Sequence, residues 1–282
     1  MNGRPLYFER RGAGPALMIL HGYTGSARSM QRVSQGLADQ YETIVPDLPG
    51  HGRSVGEAVA AGYGFEQCVR DLVATLESAG HERAHWLGYS MGARLALGCA
   101  VRYPNSVASL VLIGARAGIA DAGERESRRR ADESLARRIE TQGVEAFVDE
   151  WMAMPLFATQ QRLGAAFVDE QRRARLANDV HELAASLRGL GPAAQPALFD
   201  ELLRVTAPVL LVAGELDAAF VASARDLARR LPAAEVREIA GAGHAVHLEQ
   251  PDAFIGVTRD FLRRASGPAP SVQSHPGQET AS

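Results

Sequence analysis

The sequence predicts an α/β fold, a mostly parallel sheet with helices on both faces and a helical lid inserted between two parts of the core. Three observations carry this expectation. Short, near-continuous apolar runs alternate with longer runs whose apolar residues recur at helical spacing. Parallel strands are covered on both faces, so their sequences read as apolar throughout. From about Arg116 to Leu203 the alternation stops, leaving arginine-rich amphipathic sequence with no strand pattern, and then resumes. A glycine-flanked serine also stands at one strand-to-helix junction, Gly88-Tyr89-Ser90-Met91-Gly92.

Taken in order, Ala16 to Leu20 reads as a buried strand, Arg28 to Gln40 as a helix and Thr43 to Pro46 as a short strand. Glu66 to Ala79 carries apolar residues at helical spacing. A strand-like run from Ala84 to Leu87 leads into Ser90, followed by a helix-like run from Ala93 to Val101 and a strand from Val107 to Ile113. The arginine-rich region is broken at Pro155, Gly164, Gly189 and Pro192. Strands then follow at Val209 to Ala213 and Val236 to Ala240, with a helix from Pro251 to Arg264. Proline suits a first helical turn, where its missing N–H leaves no bond unmade. The expected organisation is a core in two parts, 1–115 and 204–265, with the lid at 116–203. Such an insertion covers the carboxyl ends of the strands, where α/β sheets bind ligands. Residues 266–282, rich in Ser, Pro, Gly and Gln, are expected to be disordered.

At 282 residues and 46% hydrophobic, the chain can bury a full core but is short for two independent domains. A net charge of −3 gives no field toward nucleic acid or an anionic membrane. All 30 basic residues are arginine, which makes any single arginine less informative. Cys68 and Cys99 lie in helix-like apolar patterns and read as buried thiols. There is no charged n-region followed by an apolar h-region and no apolar run of membrane-spanning length, so a soluble cytoplasmic protein is expected. His51, His81, His85, His181 and His247 lack clustered metal-ligand spacing, so structural or solvated roles are expected, with no metal and no cofactor. Asp132 and Asp149 read as helix-face charges. Sequence patterning leaves the oligomeric state open.

The chemistry is carried by three segments far apart in the chain. Ser90 sits in the strand–turn–helix context of a nucleophile elbow, whose strained turn leaves no room for side chains at 88 and 92. Asp217 follows the strand ending at Ala213, in Gly214-Glu215-Leu216-Asp217, and His244 closes Gly241-Ala242-Gly243-His244. The order Ser, Asp, His is that of the α/β-hydrolase fold and differs from the other serine-triad folds. His21-Gly22-Tyr23 directly follows the first buried strand. The backbone N–H groups of Tyr23 and Met91 are therefore the expected oxyanion donors. The glycine- and proline-rich loop from Asp47 to Ser54 reads as turn chemistry with a structural role.

The elbow extended to Gly88-Tyr89-Ser90-Met91-Gly92-Ala93-Arg94 resembles that of the menaquinone-pathway 2-succinyl-6-hydroxy-2,4-cyclohexadiene-1-carboxylate (SHCHC) synthases, which carry G-Y-S-[ML]-G-G-R. Gly241 to Pro251 is similar to their A-G-H-x-x-H-x-E-x-P ending. Within the lid, Glu124 to Asp132, Asp149-Glu150-Trp151 through Pro155-Leu156-Phe157, Arg175-Leu176-Ala177-Asn178 and Gln195-Pro196 resemble family segments. The likeness spans nearly all of residues 16–262. Two positions depart from it: Ala93 replaces a glycine, and Arg116-Ala117 stands where a small residue and proline are expected. In the first lid helix Arg125, Arg128, Arg129 and Arg130 compete for one family arginine; Arg128, four residues before Asp132, fits best.

The resemblance implies a lyase that eliminates pyruvate from a polycarboxylate, with Ser90, His244 and Asp217 catalytic and Tyr89, Arg94, Arg128, Trp151 and Arg175 binding substrate. Arg94 also has a physical argument of its own. It stands one helical turn beyond Ser90, on packing ground where a cation needs an anionic partner. A substrate carboxylate or a lid acid would each serve. The triad alone leaves a second reading open, a serine hydrolase cleaving an ester or carbon–carbon bond of an acidic small molecule.

Overall fold

The computed structural model describes residues 3–56 and 63–266. The expectation of a disordered tail falls outside these residues, apart from Ser266. Seven strands form one sheet: β1 (Phe8–Arg11), β2 (Ala16–Leu20), β3 (Glu42–Pro46), β4 (Ala84–Tyr89), β5 (Val107–Ile113), β6 (Val209–Gly214) and β7 (Ala234–Ile239). Their spatial order is β1-β3-β2-β4-β5-β6-β7. Only β1 runs antiparallel to its neighbour, with Phe8 opposite Pro46 and Arg11 opposite Thr43. The sheet is therefore the mostly parallel one that the apolar runs imply. β1 and the helix Ala218–Arg230 have no counterpart in the sequence reading. An edge strand reading Phe-Glu-Arg-Arg has no buried run to betray it, and its charges suit an edge. The helix buries only the narrow stripe Val221, Ala224 and Leu227.

Helices cover both faces. On one side lie α2 (Phe65–Ser78), α3 (Met91–Arg102) and α7 (Ala218–Arg230), packed on Met18, Trp86, Leu112 and Leu211. On the other lie α1 (Gln31–Leu37) and α9 (Pro251–Ala265), packed on Leu17, Leu87, Val111 and Leu210. Successive residues of one strand serve opposite cores, as the two-residue period of a strand requires. Each fully buried aliphatic or aromatic side chain contributes about 1.5–3 kcal/mol of transfer free energy. A short α8 (Val246–Glu249) precedes α9. α1 is shorter than the expected 28–40: it begins later because Ala27–Met30 forms a separate 3-10 turn, and it ends at Leu37.

Between β5 and β6 the chain is helical: α4 (Ala122–Met152), a 3-10 segment Pro155–Leu163, α5 (Ala165–Leu176), α6 (Val180–Leu190) and a 3-10 segment Phe199–Arg204. Gly143 interrupts α4 at φ 86°, ψ 170°, a conformation open to glycine at little cost. Asp179 caps α6, its carboxylate accepting from the His181 and Glu182 N–H groups at 2.8 and 3.0 Å. Ile139, Phe147, Val148, Leu183 and Leu187 form a small core of their own, on which Tyr23 and Trp151 pack. Both cysteines are free and buried. Among the described residues no helix is long and apolar enough to cross a membrane, and no cluster of side chains could hold a metal ion.

Candidate active site

Ser90 joins β4 to α3 at φ 51° and ψ −107°. Positive φ is unusual for a side-chain-bearing residue and marks stored backbone strain. Two hydrogen bonds hold it: the Ser90 N–H donates to the Ile113 carbonyl at 2.8 Å, and the Arg94 N–H to the Ser90 carbonyl at 3.1 Å. A Cβ at Gly88 would stand 2.4 Å from the Gly92 carbonyl oxygen, and one at Gly92 would stand 2.5 Å from that of Leu20. The turn thus requires both glycines.

Asp217 ends the loop after β6, and its Oδ2 accepts from His244 Nδ1 at 2.8 Å. A carboxylate can only accept, so the proton of neutral His244 sits on Nδ1 and Nε2 is left as a base. Nε2 lies 3.4 Å from Ser90 Oγ. The histidine loop is held by Glu249, a buried residue absent from the expected set. Its carboxylate accepts from the Gly243 N–H at 2.7 Å and the Ala245 N–H at 3.1 Å, on either side of His244. Gly114 is a second such residue. A Cβ there would meet His244 Cε1 at 2.8 Å, and its φ of 64° already favours glycine. The signal for Gly114 was a glycine directly after an apolar strand. For Glu249 it was an acid five residues past the histidine.

Tyr23 and Met91 both border the cavity in front of Ser90. Behind Tyr23, two buried imidazoles shape the loop. His21 Nδ1–H donates to the Gly22 carbonyl and Nε2 accepts from Leu48 N–H at 2.9 Å. His51 Nδ1–H donates to the Pro49 carbonyl and Nε2 accepts from Thr24 N–H at 3.2 Å. Burial pushes their pKa values down, to about 4 for His21 and about 3 for His51. The loop from Asp47 to Ser54 is structural in the same sense, since Asp47 accepts from the Ala27 and Arg53 N–H groups at 2.6 and 2.9 Å.

The cavity has a volume of about 590 Å³ and is bordered by Tyr23, Tyr89, Ser90, Met91, Arg94, Arg128, Trp151 and His244 together. That size suits a small molecule. Arg94 is buried, and its guanidinium donates to the Leu190 carbonyl at 2.7 Å and the Gly191 carbonyl at 3.3 Å. Desolvation first, and the nearby Arg128 second, push its pKa down to about 10. Its hydrogen-bond partners are backbone carbonyls of the helical region between β5 and β6, and the Asp132 carboxylate opposes part of the downward shift without bonding to it. Arg128 Nε donates to Asp132 Oδ1 at 2.8 Å. Asp132 is buried and is not on a solvated helix face as expected, because α4 turns that side toward Gly191. Asp149 is exposed and pairs with Arg172. Trp151 forms an aromatic wall with Tyr23 and Phe157, at centroid distances of 5.4 and 5.6 Å.

Arg175 stands apart from this lining. Its Nη1 donates to the Gln171 carbonyl and side-chain oxygen, and its charge acts on Tyr89 and His247. Arg116, the departure from the family pattern, borders the cavity with its guanidinium 4.9 Å from the centre of the Phe220 ring, which in turn lies 4.5 Å from His244.

Comparison with known proteins places this geometry. Residues 15–251 match the model of the alpha/beta hydrolase fold family. A relative from Bacillus subtilis (strain 168), provisionally named 2-succinyl-6-hydroxy-2,4-cyclohexadiene-1-carboxylate synthase, is 37% identical over 90% of this chain and 92% of its own. The 2-succinyl-6-hydroxy-2,4-cyclohexadiene-1-carboxylate synthase of Escherichia coli O1:K1 / APEC is 33% identical over 88% of this chain and 94% of its own. The structure of MenH from S. aureus superposes with a TM-score of 0.89 at 29% identity, covering 93% of this chain and 99% of that one.

Proposed function

This chain belongs to the alpha/beta hydrolase fold family and, within it, to the family of the SHCHC synthases, and from that premise we propose that it is a carbon–oxygen lyase of menaquinone biosynthesis. The substrate is 2-succinyl-5-enolpyruvyl-6-hydroxy-3-cyclohexene-1-carboxylate; pyruvate leaves and the cyclohexadiene remains. One observation carries the reading for this chain: a buried arginine, Arg94, borders the same cavity as Ser90 and His244, with Arg128 beside it. The Leu190 and Gly191 carbonyls that hold it carry only partial negative charge, so the guanidinium keeps a full positive charge to offer an anion in the cavity. A guanidinium fork meets a carboxylate through two parallel bonds.

The bonds balance without an acyl-enzyme. His244 Nε2 takes the Ser90 hydroxyl proton, with Asp217 holding the imidazolium in register. Ser90 Oγ then removes the ring proton beside the succinyl ketone, and the electron pair passes to the ketone oxygen. The Tyr23 and Met91 N–H groups receive that oxyanion; one such donor contributes about 3–4 kcal/mol. As the charge returns, the ring double bond shifts and the bond to the enolpyruvyl oxygen breaks. The departing enolate takes up a proton and becomes pyruvate. Arg94 and Arg128 hold carboxylates, and the lid excludes water.

Pyruvate release from the enolpyruvyl substrate, set against hydrolysis of a nitrophenyl ester, tests this. Wild type is expected to release pyruvate, Ser90→Ala to lose that activity by orders of magnitude, and intact mass during turnover to stay unmodified. A substrate-derived mass increment on Ser90, or ester hydrolysis without pyruvate release, moves the assignment to a serine hydrolase of acidic substrates.

A further inference from the structure

The oxyanion loop is fastened to the lid at two consecutive residues. The Tyr23 hydroxyl donates to the Leu183 carbonyl of α6 at 2.9 Å. The Thr24 carbonyl accepts from Asn178 Nδ2 at 3.1 Å, and the same amide donates to the Arg175 carbonyl at 2.9 Å. Asn178 lies in the turn between α5 and α6, so its position is that of the lid. On the core side the Thr24 N–H is held by His51 at 3.2 Å, and the turn is closed by Gly25 N–H donating to the Gly22 carbonyl at 3.0 Å.

Thr24 itself is at φ 68°. A β-branched residue at positive φ is an outlier that persists only where its surroundings over-determine it. Here the surroundings divide between a core imidazole and a lid amide.

We infer that Asn178 is a positioning residue through which the lid sets the aim of the Tyr23 N–H in the oxyanion hole. The inference rests on the proposed role of Tyr23. Asn178 does not border the cavity, so it acts through Thr24 and not on substrate. Peptide planes are rigid, so the Thr24 carbonyl and the Tyr23 N–H, two planes apart, are linked only through φ and ψ of Tyr23 and Thr24, and a displacement of that carbonyl is taken up in the dihedrals that aim the Tyr23 N–H. With the lid seated, the strained conformation is held from both sides. With the lid away, Thr24 loses one of its two restraints and the loop relaxes. Charge stabilisation is thereby confined to the enclosed state in which Arg128, also on the lid, can hold a carboxylate.

The test is steady-state kinetics of Asn178→Asp and Asn178→Ala, with thermal melts. Asn178→Asp keeps the shape and packing but presents an acceptor to the Thr24 carbonyl, so it is the informative variant where alanine is poorly folded. The expected result is a kcat reduced about ten- to a hundred-fold, below the loss from deleting an oxyanion donor outright. KM should stay within about threefold, since ground-state contacts are untouched. Tyr23→Phe should lower kcat in the same sense, and its combination with Asn178→Asp should cost less than the product of the two. A kcat within twofold of wild type in both Asn178 variants overturns the proposal. So does a parallel loss of kcat, KM and melting temperature, which describes packing alone. The measurement is made on whichever reaction the wild type performs. A tetrahedral oxyanion of ester hydrolysis would use the same donors, so failure of the lyase assignment and failure of the clamp read out separately.

Discussion

Glu249 holds the two N–H groups that flank His244, and a carboxylate is the one side chain that offers both of them an acceptor. Glu249→Gln keeps the volume but turns an amide NH2 toward one of those donors. A hydrogen bond to a charged group contributes about 1.5–3 kcal/mol, so the variant should lose roughly ten-fold or more in kcat. Its melting temperature should fall by several degrees; kinetics and melts on one preparation check both. An unchanged kcat with a lowered melting temperature would make Glu249 a fold residue with no share in aiming His244. Ser90, Asp217 and His244 were legible because each stands in a local context, strand then turn, that the sequence displays. Glu249 was visible only as the acid of the A-G-H-x-x-H-x-E-x-P likeness and Gly114 only as a glycine after a strand, and neither carried a role. Their roles are defined by contact with His244, and nothing in Gly114's own neighbourhood says that an imidazole lies where its Cβ would be.

Among the elements, α6 does most to join the helices between β5 and β6 to the rest of the molecule. Glu182 accepts from the Tyr63 hydroxyl and from the Gly56 N–H, Leu183 accepts from Tyr23, and the last carbonyls receive Arg94. Terminal carbonyls of a helix have no partner within it and carry its partial negative charge, so a cation there is well placed. Arg94 was expected to meet either a substrate carboxylate or a lid acid; it meets the carbonyls at the end of α6, and it borders the cavity where the first would bind. Arg94→Ala should therefore act twice. Losing a bidentate partner costs about 2–5 kcal/mol, a thirty-fold to several-thousand-fold drop in kcat/KM. Leaving two buried carbonyls unpaired should lower the melting temperature by on the order of 5 °C. Arg94→Lys should recover more stability than activity, because a point charge can reach one carbonyl but cannot form the fork. If lysine restores kcat/KM fully, bidentate recognition at this position is wrong. The helical character of the 116–203 region was readable from its periodicity. Which helix end would face Arg94 was not, because the breaks at Gly143 and Gly164 set directions that spacing does not encode.

Across the whole molecule, four buried imidazoles tie stability to pH. Burial pushes His21 and His85 down to about 4, and His51 and His247 to about 3. His21 adds to the downward shift of His51, their ring centroids lie 5.2 Å apart, and each uses Nε2 to accept a backbone N–H. Protonation would abolish both acceptances and put two charges side by side. The sign follows from the shifts. In the unfolded chain these groups titrate near 6.5, so between that value and the folded values the unfolded state binds more protons. Their contribution is therefore fully present above about pH 6.5 and is lost as pH falls toward 4 and below. Each group adds up to about 1.4 kcal/mol per pH unit to the slope. Melting temperatures measured from pH 7.5 to 4.5 should be nearly level at the top and fall with increasing steepness below 6.5. His85 lies on β4, hydrogen-bonded to Ser109 at 2.8 Å and away from the cavity, which makes it the clean probe. His85→Gln should flatten the acid limb while leaving kcat at pH 7.5 unchanged. A melting temperature level to within a degree from 7.5 to 5 would mean that the imidazoles are hydrated enough to charge in place.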